Sequence, residues 1–295
     1  MKQENIHSTI CQYGICIIIP TYNCEKTIRN IVESVLTYTS NIIVINDGSV
    51  DNTANILSLF EERITVISYP KNRGKGYALK QGFDEACKRG FSYALTIDSD
   101  GQHSVKDIPS FIEAMQQHPD ALIVGARSFN HPNMPQGNVF ANKFSNFWFT
   151  LQTANKFPDT QSGYRLYPLK KMKQMRPFTR RYEAELELLV RCAWKNIPIL
   201  PLPIQVYYPV KEERVSHFRP KKDFIRISLL NTILCPLAII YGYPAMLIER
   251  TKGRKDERAK GRKVQGENGS KQQATSNKQA SHEEGKGRKE KPERF

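Results

Sequence analysis

The sequence predicts an α/β fold, with a mostly parallel central sheet and helices on both of its faces. Runs such as Ile15-Cys16-Ile17-Ile18-Ile19 and Ile42-Ile43-Val44-Ile45 are apolar at every position, as in strands buried on both faces. Segments with apolar residues at helical spacing separate these runs. Three of the runs end in polar, turn-forming signatures, Pro20-Thr21-Tyr22-Asn23, Asn46-Asp47-Gly48-Ser49 and Asp98-Ser99-Asp100. Parallel strands bring such ends to one rim, where ligands of these folds bind.

The elements follow in order. Ile15–Ile19 is the first strand, stopped by Pro20. Over residues 25–38, Ile28, Ile31, Val32, Val35 and Leu36 share one helical face. Ile42–Ile45 is the second strand, and the turn "NDGSVDNT" leads into a helix over 52–61. Ile64–Ser68 is a third strand and 75–88 a helix. Tyr93–Ile97 is a fourth strand, 105–117 a helix, and Leu122-Ile123-Val124 a fifth strand. The second half is less regular. Residues 139–155 carry Phe140, Phe144, Phe147, Trp148 and Leu151 at helical spacing, which predicts a core-facing helix, the alternative being an apolar wall for a lipid. Residues 183–195 predict an amphipathic helix. Ile197–Tyr208 predicts an edge strand, because Pro198, Pro201 and Pro203 exclude a central position.

With 295 residues the chain is long enough for a sizeable core. Its net charge is +15, and residues 251–295 carry 14 Lys/Arg against 7 Asp/Glu with almost no large apolar side chains. Such a segment does not bury enough surface to offset its ordering entropy, so it reads as a disordered basic tail. The six cysteines show neither a C-x-x-C pair nor zinc spacing, and reduced thiols in the cytosol are expected. Residues 1–13 read as a polar extension without the apolar core of a signal peptide. The catalytic domain is expected over 14–222.

Residues 227–248 hold no charge over 22 positions, a length that could span a bilayer. Asn231, Pro236, Gly242 and Pro244 interrupt the run, and basic residues flank both ends. A single span carries its positive side in the cytosol alone. Residues 223–250 therefore read as a segment lying in, or dipping into, one leaflet at the cytoplasmic face, on an anionic membrane surface. Nucleic acid is not an expected partner, because no RNA-binding signature or aromatic-basic interleaving is present.

The chemistry concentrates in "LTIDSDGQH" (95–103). One Asp after a strand is commonly a turn residue or a helix cap. Two, at Asp98 and Asp100, repel each other and raise each other's pKa unless a cation sits between them. Mg²⁺ or Mn²⁺ resolves that conflict with one or two carboxylates, water and ligand phosphates. Gln102 and His103 follow directly as possible further ligands. Asp47 could accept hydrogen bonds from a base or ribose, or cap the next helix. Asn72-Arg73-Gly74-Lys75-Gly76 opens a helix whose free N–H groups suit a phosphate, with Lys75 as a donor-binding candidate. It is neither a P-loop nor a dinucleotide fingerprint.

Together, "IIIPTYN" (17–23), "IIVINDGSVDNT" (42–53), "NRGKGYALKQGF" (72–83), "LTIDSDGQH", "VGARSF" (124–129) and "DTQSGYRLY" (159–167) resemble family 2 glycosyltransferases, in the family's order and spacing. Within it, the chain is most similar to dolichyl- and polyprenyl-phosphate sugar synthases. The resemblance implies an A-type nucleotide-sugar fold and inverting transfer of a hexose from a nucleotide-sugar donor, of the GDP-mannose or UDP-glucose type, to a polyprenyl phosphate. Extension of a glycan is the alternative, and a non-catalytic nucleic-acid- or membrane-binding protein on the same scaffold is the reading of another class. It implies Asp98, Asp100 and Gln102 as metal ligands, and Pro20, Tyr22, Asn23 and Asp47 along the nucleotide. Arg127 and Arg214 would face the acceptor phosphate, and Asp159 falls where relatives place a proposed catalytic base. Unlike synthases with clear transmembrane anchors, this chain has one interrupted apolar segment.

Overall fold

The computed structural model describes residues 3–128, 136–172, 175–207, 220–249 and 251. Arg214, and the tail apart from Thr251, lie outside the described residues. The described residues up to Met246 belong to one compact unit, and those from Leu247 onward to a second.

Seven strands form one sheet: β1 (Ile15–Thr21), β2 (Ile42–Asn46), β3 (Thr65–Ser68), β4 (Tyr93–Thr96), β5 (Leu122–Arg127), β6 (Arg165–Pro168) and β7 (Ile199–Ile204), in the order β3-β2-β1-β4-β6-β5-β7. The expected α/β architecture is present. β1 and β2 are buried at every residue, since helices cover both faces. Pairing is parallel from β3 through β4 and between β5 and β7. β6 alone is antiparallel to both of its neighbours. The sequence reading has no strand there, because four residues with a proline carry little periodicity. β7 lies at the sheet's edge, as its prolines demand.

The helices are α1 (Gln3–Tyr13), α2 (Ile28–Leu36), α3 (Thr53–Ser58), α4 (Lys75–Lys88), α5 (Ile108–Gln117), α6 (Gln136–Thr153), α7 (Glu183–Trp194) and α8 (Pro220–Leu237). Three differ from expectation. The supposed extension contains α1, whose Ile6 and Ile10 are buried in the core cluster beneath β1, so the packed body begins before residue 14. Helix α7 is buried on nearly every side, with only Arg191 of its residues partly open. Glu185 and Glu187 meet internal partners in place of a solvated face. Helix α6 is turned from the expected orientation: Phe140, Phe147 and Leu151 are exposed, while Asn142, Ser145, Phe149 and Gln152 are buried. The inward polar groups hold the following loop, Asn142 and Asn146 donating to the Pro158 carbonyl and Thr160 to Ser145 Oγ.

Helix α8 continues through a π turn (Ala238–Gly242) just after Pro236, which has no N–H to donate. The helical stretch Lys222–Glu249 is long and apolar enough to cross a membrane by length and composition. Leu230, Asn231, Leu234, Ala238, Gly242 and Met246 form its buried stripe. Polar bonds fasten it: Gln152 Nε2 to Asn231 Oδ1 (2.9 Å), Asn196 Nδ2 to the Met246 carbonyl (2.7 Å), and Tyr243 Oη to the Leu151 carbonyl. At Gly242, any Cβ would strike the Trp194 indole at 2.4 Å.

Candidate active site

The carboxyl ends of β1, β2, β4 and β5 meet at one rim. Because β6 runs the other way, its amino end reaches the same rim, bringing in the loop 159–163. The rim encloses a cavity of about 670 Å³, within the size range of small-molecule sites. Nine of the side chains singled out from the sequence line it: Pro20, Tyr22, Asp47, Lys75, Asp98, Asp100, Gln102, His103 and Arg127.

The acidic centre follows directly from β4. Lys75, at the first position of α4, places Nζ 2.6 Å from Asp98 Oδ1 and 3.1 Å from Glu185 Oε2 on α7. Burial works against the Asp98 charge, but the Lys75 ammonium beside it holds the carboxyl below its ordinary value. Burial would also discharge Lys75, yet Asp98 and Glu185 keep its pKa above the usual lysine value. Among the described residues Asp100 forms no such close ion pair. Burial, then the Asp98 charge, push its carboxyl up to about 6, against backbone bonds, that from Gln102 N at 3.0 Å first, and the more distant Lys75 charge. Burial lowers the His103 imidazole to about 4, so it is neutral at neutral pH.

These oxygens suit a hard divalent cation. Among the described residues, no group of three or more His, Cys, Asp or Glu is arranged to hold a metal alone. A site of two carboxylates, completed by water and ligand phosphate, is the Mg²⁺ or Mn²⁺ pattern, as distinct from a closed zinc site. Asp98, Asp100 and Gln102 would hold the ion.

Two glycines shape the site. Gly48 has φ +68°, and a Cβ there would lie 2.5 Å from the backbone of Lys71 and Asn72. The loop before α4 can thus close onto β2, where Asp47 accepts the Arg73 and Gly74 N–H groups at 2.7 and 2.8 Å. Asp47 lines the cavity, but its carboxylate holds this loop and does not cap α3. At Gly163, a Cβ would lie 2.6 Å from Lys75 Nζ, 2.7 Å from Asp98 Oδ2 and 2.9 Å from Glu185 Oε1. Gly163→Ala is expected to part this ion pair, cutting turnover by roughly 10²-fold and stability by about 1–3 kcal/mol. Steady-state rates and thermal melting check both.

Three expected residues stand differently. Asn23, expected against the donor, is not among the cavity's lining residues. At φ +50°, it accepts the Val50 N–H on Oδ1 at 2.8 Å and donates its own N–H to Ser49, tying two loops together. Asp159, expected as a base, is fully buried and also off the lining. Its Oδ2 accepts Arg127 Nε at 2.7 Å and Arg127 N at 3.1 Å; Oδ1 accepts Arg127 Nη2 at 2.9 Å and Gln161 N at 3.2 Å. It clamps Arg127 bidentately and has no open face toward the cavity. Arg214 lies outside the described residues.

The cavity also contains Glu185, Arg181, Tyr182 and Asp223, which the sequence reading missed. The buried Arg165 donates to the Ser162, Thr160 and Glu185 carbonyls, pinning the 160–163 loop to α7. The one available signal was the spacing Glu183-Ala184-Glu185-Leu186-Glu187, with acids where a helix of that apolarity needs internal partners.

Residues 16–173 match the profile of Glycosyl transferase family 2. The UDP-N-acetylglucosamine–dolichyl-phosphate N-acetylglucosaminyltransferase of Methanococcus voltae is 31% identical over 215 residues, covering 66% of this chain and 86% of that protein. The polyprenol monophosphomannose synthase of Mycolicibacterium smegmatis is 28% identical over 200 residues, covering 64% and 75%. In fold, the chain is similar to glucosyl-3-phosphoglycerate synthase from Mycobacterium tuberculosis, solved with Mn²⁺, uridine diphosphate and glucosyl-3-phosphoglycerate, at TM-score 0.60 and 16% identity over 81% of this chain and 84% of that one. With more than half its length matched by that profile and the acidic rim intact, the chain is a glycosyltransferase and belongs to glycosyl transferase family 2.

Proposed function

We propose that this enzyme transfers a hexose, with inversion, from a nucleotide-sugar to a polyprenyl phosphate at the cytoplasmic membrane face, using Mg²⁺ or Mn²⁺. The observation that carries this reading is the cavity's outer wall. Ala141 and Ser145 of α6 and Asp223 and Ile227 of α8 line it, while the opposite faces of these helices expose Phe140, Phe147, Leu151, Ile225, Leu229 and Ile233. An apolar surface of this kind beside a polar site suits an acceptor with a charged head and a hydrocarbon chain. The named activities of the dolichyl- and polyprenyl-phosphate relatives support the same acceptor class.

Pro20, Tyr22 and Asp47 would line the nucleotide. Asp98, Asp100 and Gln102 would hold the cation, which as a Lewis acid would stabilise charge on the departing nucleoside diphosphate. Arg127, oriented by Asp159, would face the acceptor phosphate. That phosphate is ionised near neutral pH, so its attack on the anomeric carbon needs no strong base, in keeping with a clamped Asp159. The apolar helix would lie in the membrane plane, since one of its faces is already bonded to the domain.

Labelled GDP- and UDP-sugars, incubated with the protein, undecaprenyl phosphate in vesicles and either cation, should give an organic-extractable sugar-lipid. Donor turnover without it would indicate a glycan acceptor, and no turnover would overturn the catalytic reading. Leu229→Glu with Ile233→Glu alters positions that are 61% and 51% exposed. The pair is expected to weaken sedimentation with anionic vesicles by about tenfold or more, leaving thermal melting within a degree or two (~0.5 kcal/mol).

A further inference from the structure

A lysine already occupies the first of the two carboxylates that would hold the metal. Lys75 Nζ sits between Asp98 Oδ1 at 2.6 Å and Glu185 Oε2 at 3.1 Å. A cation arriving at Asp98 meets a resident one, and two positive charges repel strongly at such range. Glu185 gives the ammonium an alternative. Its side chain is 6% exposed, and its other oxygen, Oε1, is buried without a hydrogen-bond partner. That spare acceptor adjoins Gly163, in the same space where the Lys75 and Asp98 head groups converge.

We propose that Lys75 is a resident counter-cation of the metal site and that Glu185 is a positioning residue, taking over the Lys75 ammonium when a divalent cation claims Asp98. Without metal, Lys75 neutralises Asp98 and keeps the acidic rim assembled. With metal, a small movement toward Glu185 satisfies the orphaned Oε1 and clears Asp98 for coordination. No bond is made or broken, and Lys75 keeps its proton throughout. The proposal rests on the metal-dependent reading above.

The test is Mn²⁺ affinity, read from the free-ion electron paramagnetic resonance signal, without donor, on the full chain. Glu185→Gln is nearly isosteric and leaves displaced Lys75 without a carboxylate. It is expected to weaken Mn²⁺ binding by about tenfold or more, the range for second-sphere partners of a metal. Lys75→Met removes the competing cation and is expected to strengthen binding by about tenfold. The double variant should lie near or above wild type. Circular dichroism and thermal melting establish folding for each; if Lys75→Met does not fold, Lys75→Gln and the double variant supply the same comparison. A merely structural role would weaken binding in every variant. Wild-type binding with both single variants weakened or unchanged overturns the counter-cation proposal alone. No Mn²⁺ binding by wild type, with Asp100→Ala as its match, overturns the metal reading and this proposal with it.

Discussion

Asp100→Ala is expected to reduce sugar transfer by about three orders of magnitude or more, equivalent to ~4 kcal/mol of transition-state stabilisation, while leaving the fold as stable or more stable. The loss follows from the site's composition. Asp98 has a lysine in direct contact, but among the described residues Asp100 forms no close ion pair, and the Gln102 N–H on Oδ1 and the more distant Lys75 charge do not offset its burial, so it is the carboxylate that most needs a cation. The stability change has the opposite sign to that of an ordinary paired aspartate. Burial and then Asp98 raise the Asp100 carboxyl from 3.8 to about 6. Between these values the folded state holds a proton that the unfolded state has released, so Asp100 lowers stability as pH rises through this window. Removing the carboxyl relieves that penalty at pH 7. Melting in chelator at pH 7, beside transfer assays with Mn²⁺, checks both halves. A large drop in melting temperature would mean that Asp100 is structural, and unchanged transfer would remove it from the metal site.

The second large effect is expected at the clamp between β5 and the loop before β6. Arg127→Met leaves the Asp159 carboxylate fully buried with its bidentate partner gone. Breaking a buried pair from one side costs about 3–5 kcal/mol, or roughly 10 °C in melting temperature for a domain of this size. Replacing both partners by apolar residues should cost much less than the sum, because no uncompensated charge remains. Asp159→Asn separates positioning from base catalysis. With the carboxylate turned to Arg127 and away from the cavity, the expected outcome is a raised KM for the acceptor, a kcat within about tenfold of wild type and an unchanged pH profile. Loss of kcat by 10³-fold or more with a shifted pH profile would restore Asp159 as a base.

The failures of the sequence reading share one cause. Phe140, Phe147 and Leu151 read as core because aromatic and aliphatic residues at helical spacing usually are. In the fold they face outward, and the inward positions of α6 went to Asn142, Ser145 and Gln152, which bond the 158–160 loop and α8. Residues 183–195 read as an amphipathic helix, yet Glu187 accepts from Phe178, Thr179 and Arg191, and Glu185 holds Lys75. Asn23 and Asp159 were singled out by their motifs, and the fold turns Asn23 to Val50 and Asp159 to Arg127, because a motif marks a position without saying which way a side chain turns.

The sequence by itself determined the buried parallel strands, the rim where they end, and the residues Asp98, Asp100, Lys75, Asp47 and Arg127 that gather there. Those features are local: apolar runs, breaks at Pro, Gly and Asp, and like charges two residues apart carry their own physical meaning. Only the tertiary structure decided which charge answers which. The reversal of β6 brings Asp159 and Gly163 to the rim, and the burial of α7 sets Glu185 opposite Lys75, about a hundred residues away in the chain. Pairings of that separation depend on how layers pack, and no local pattern records them.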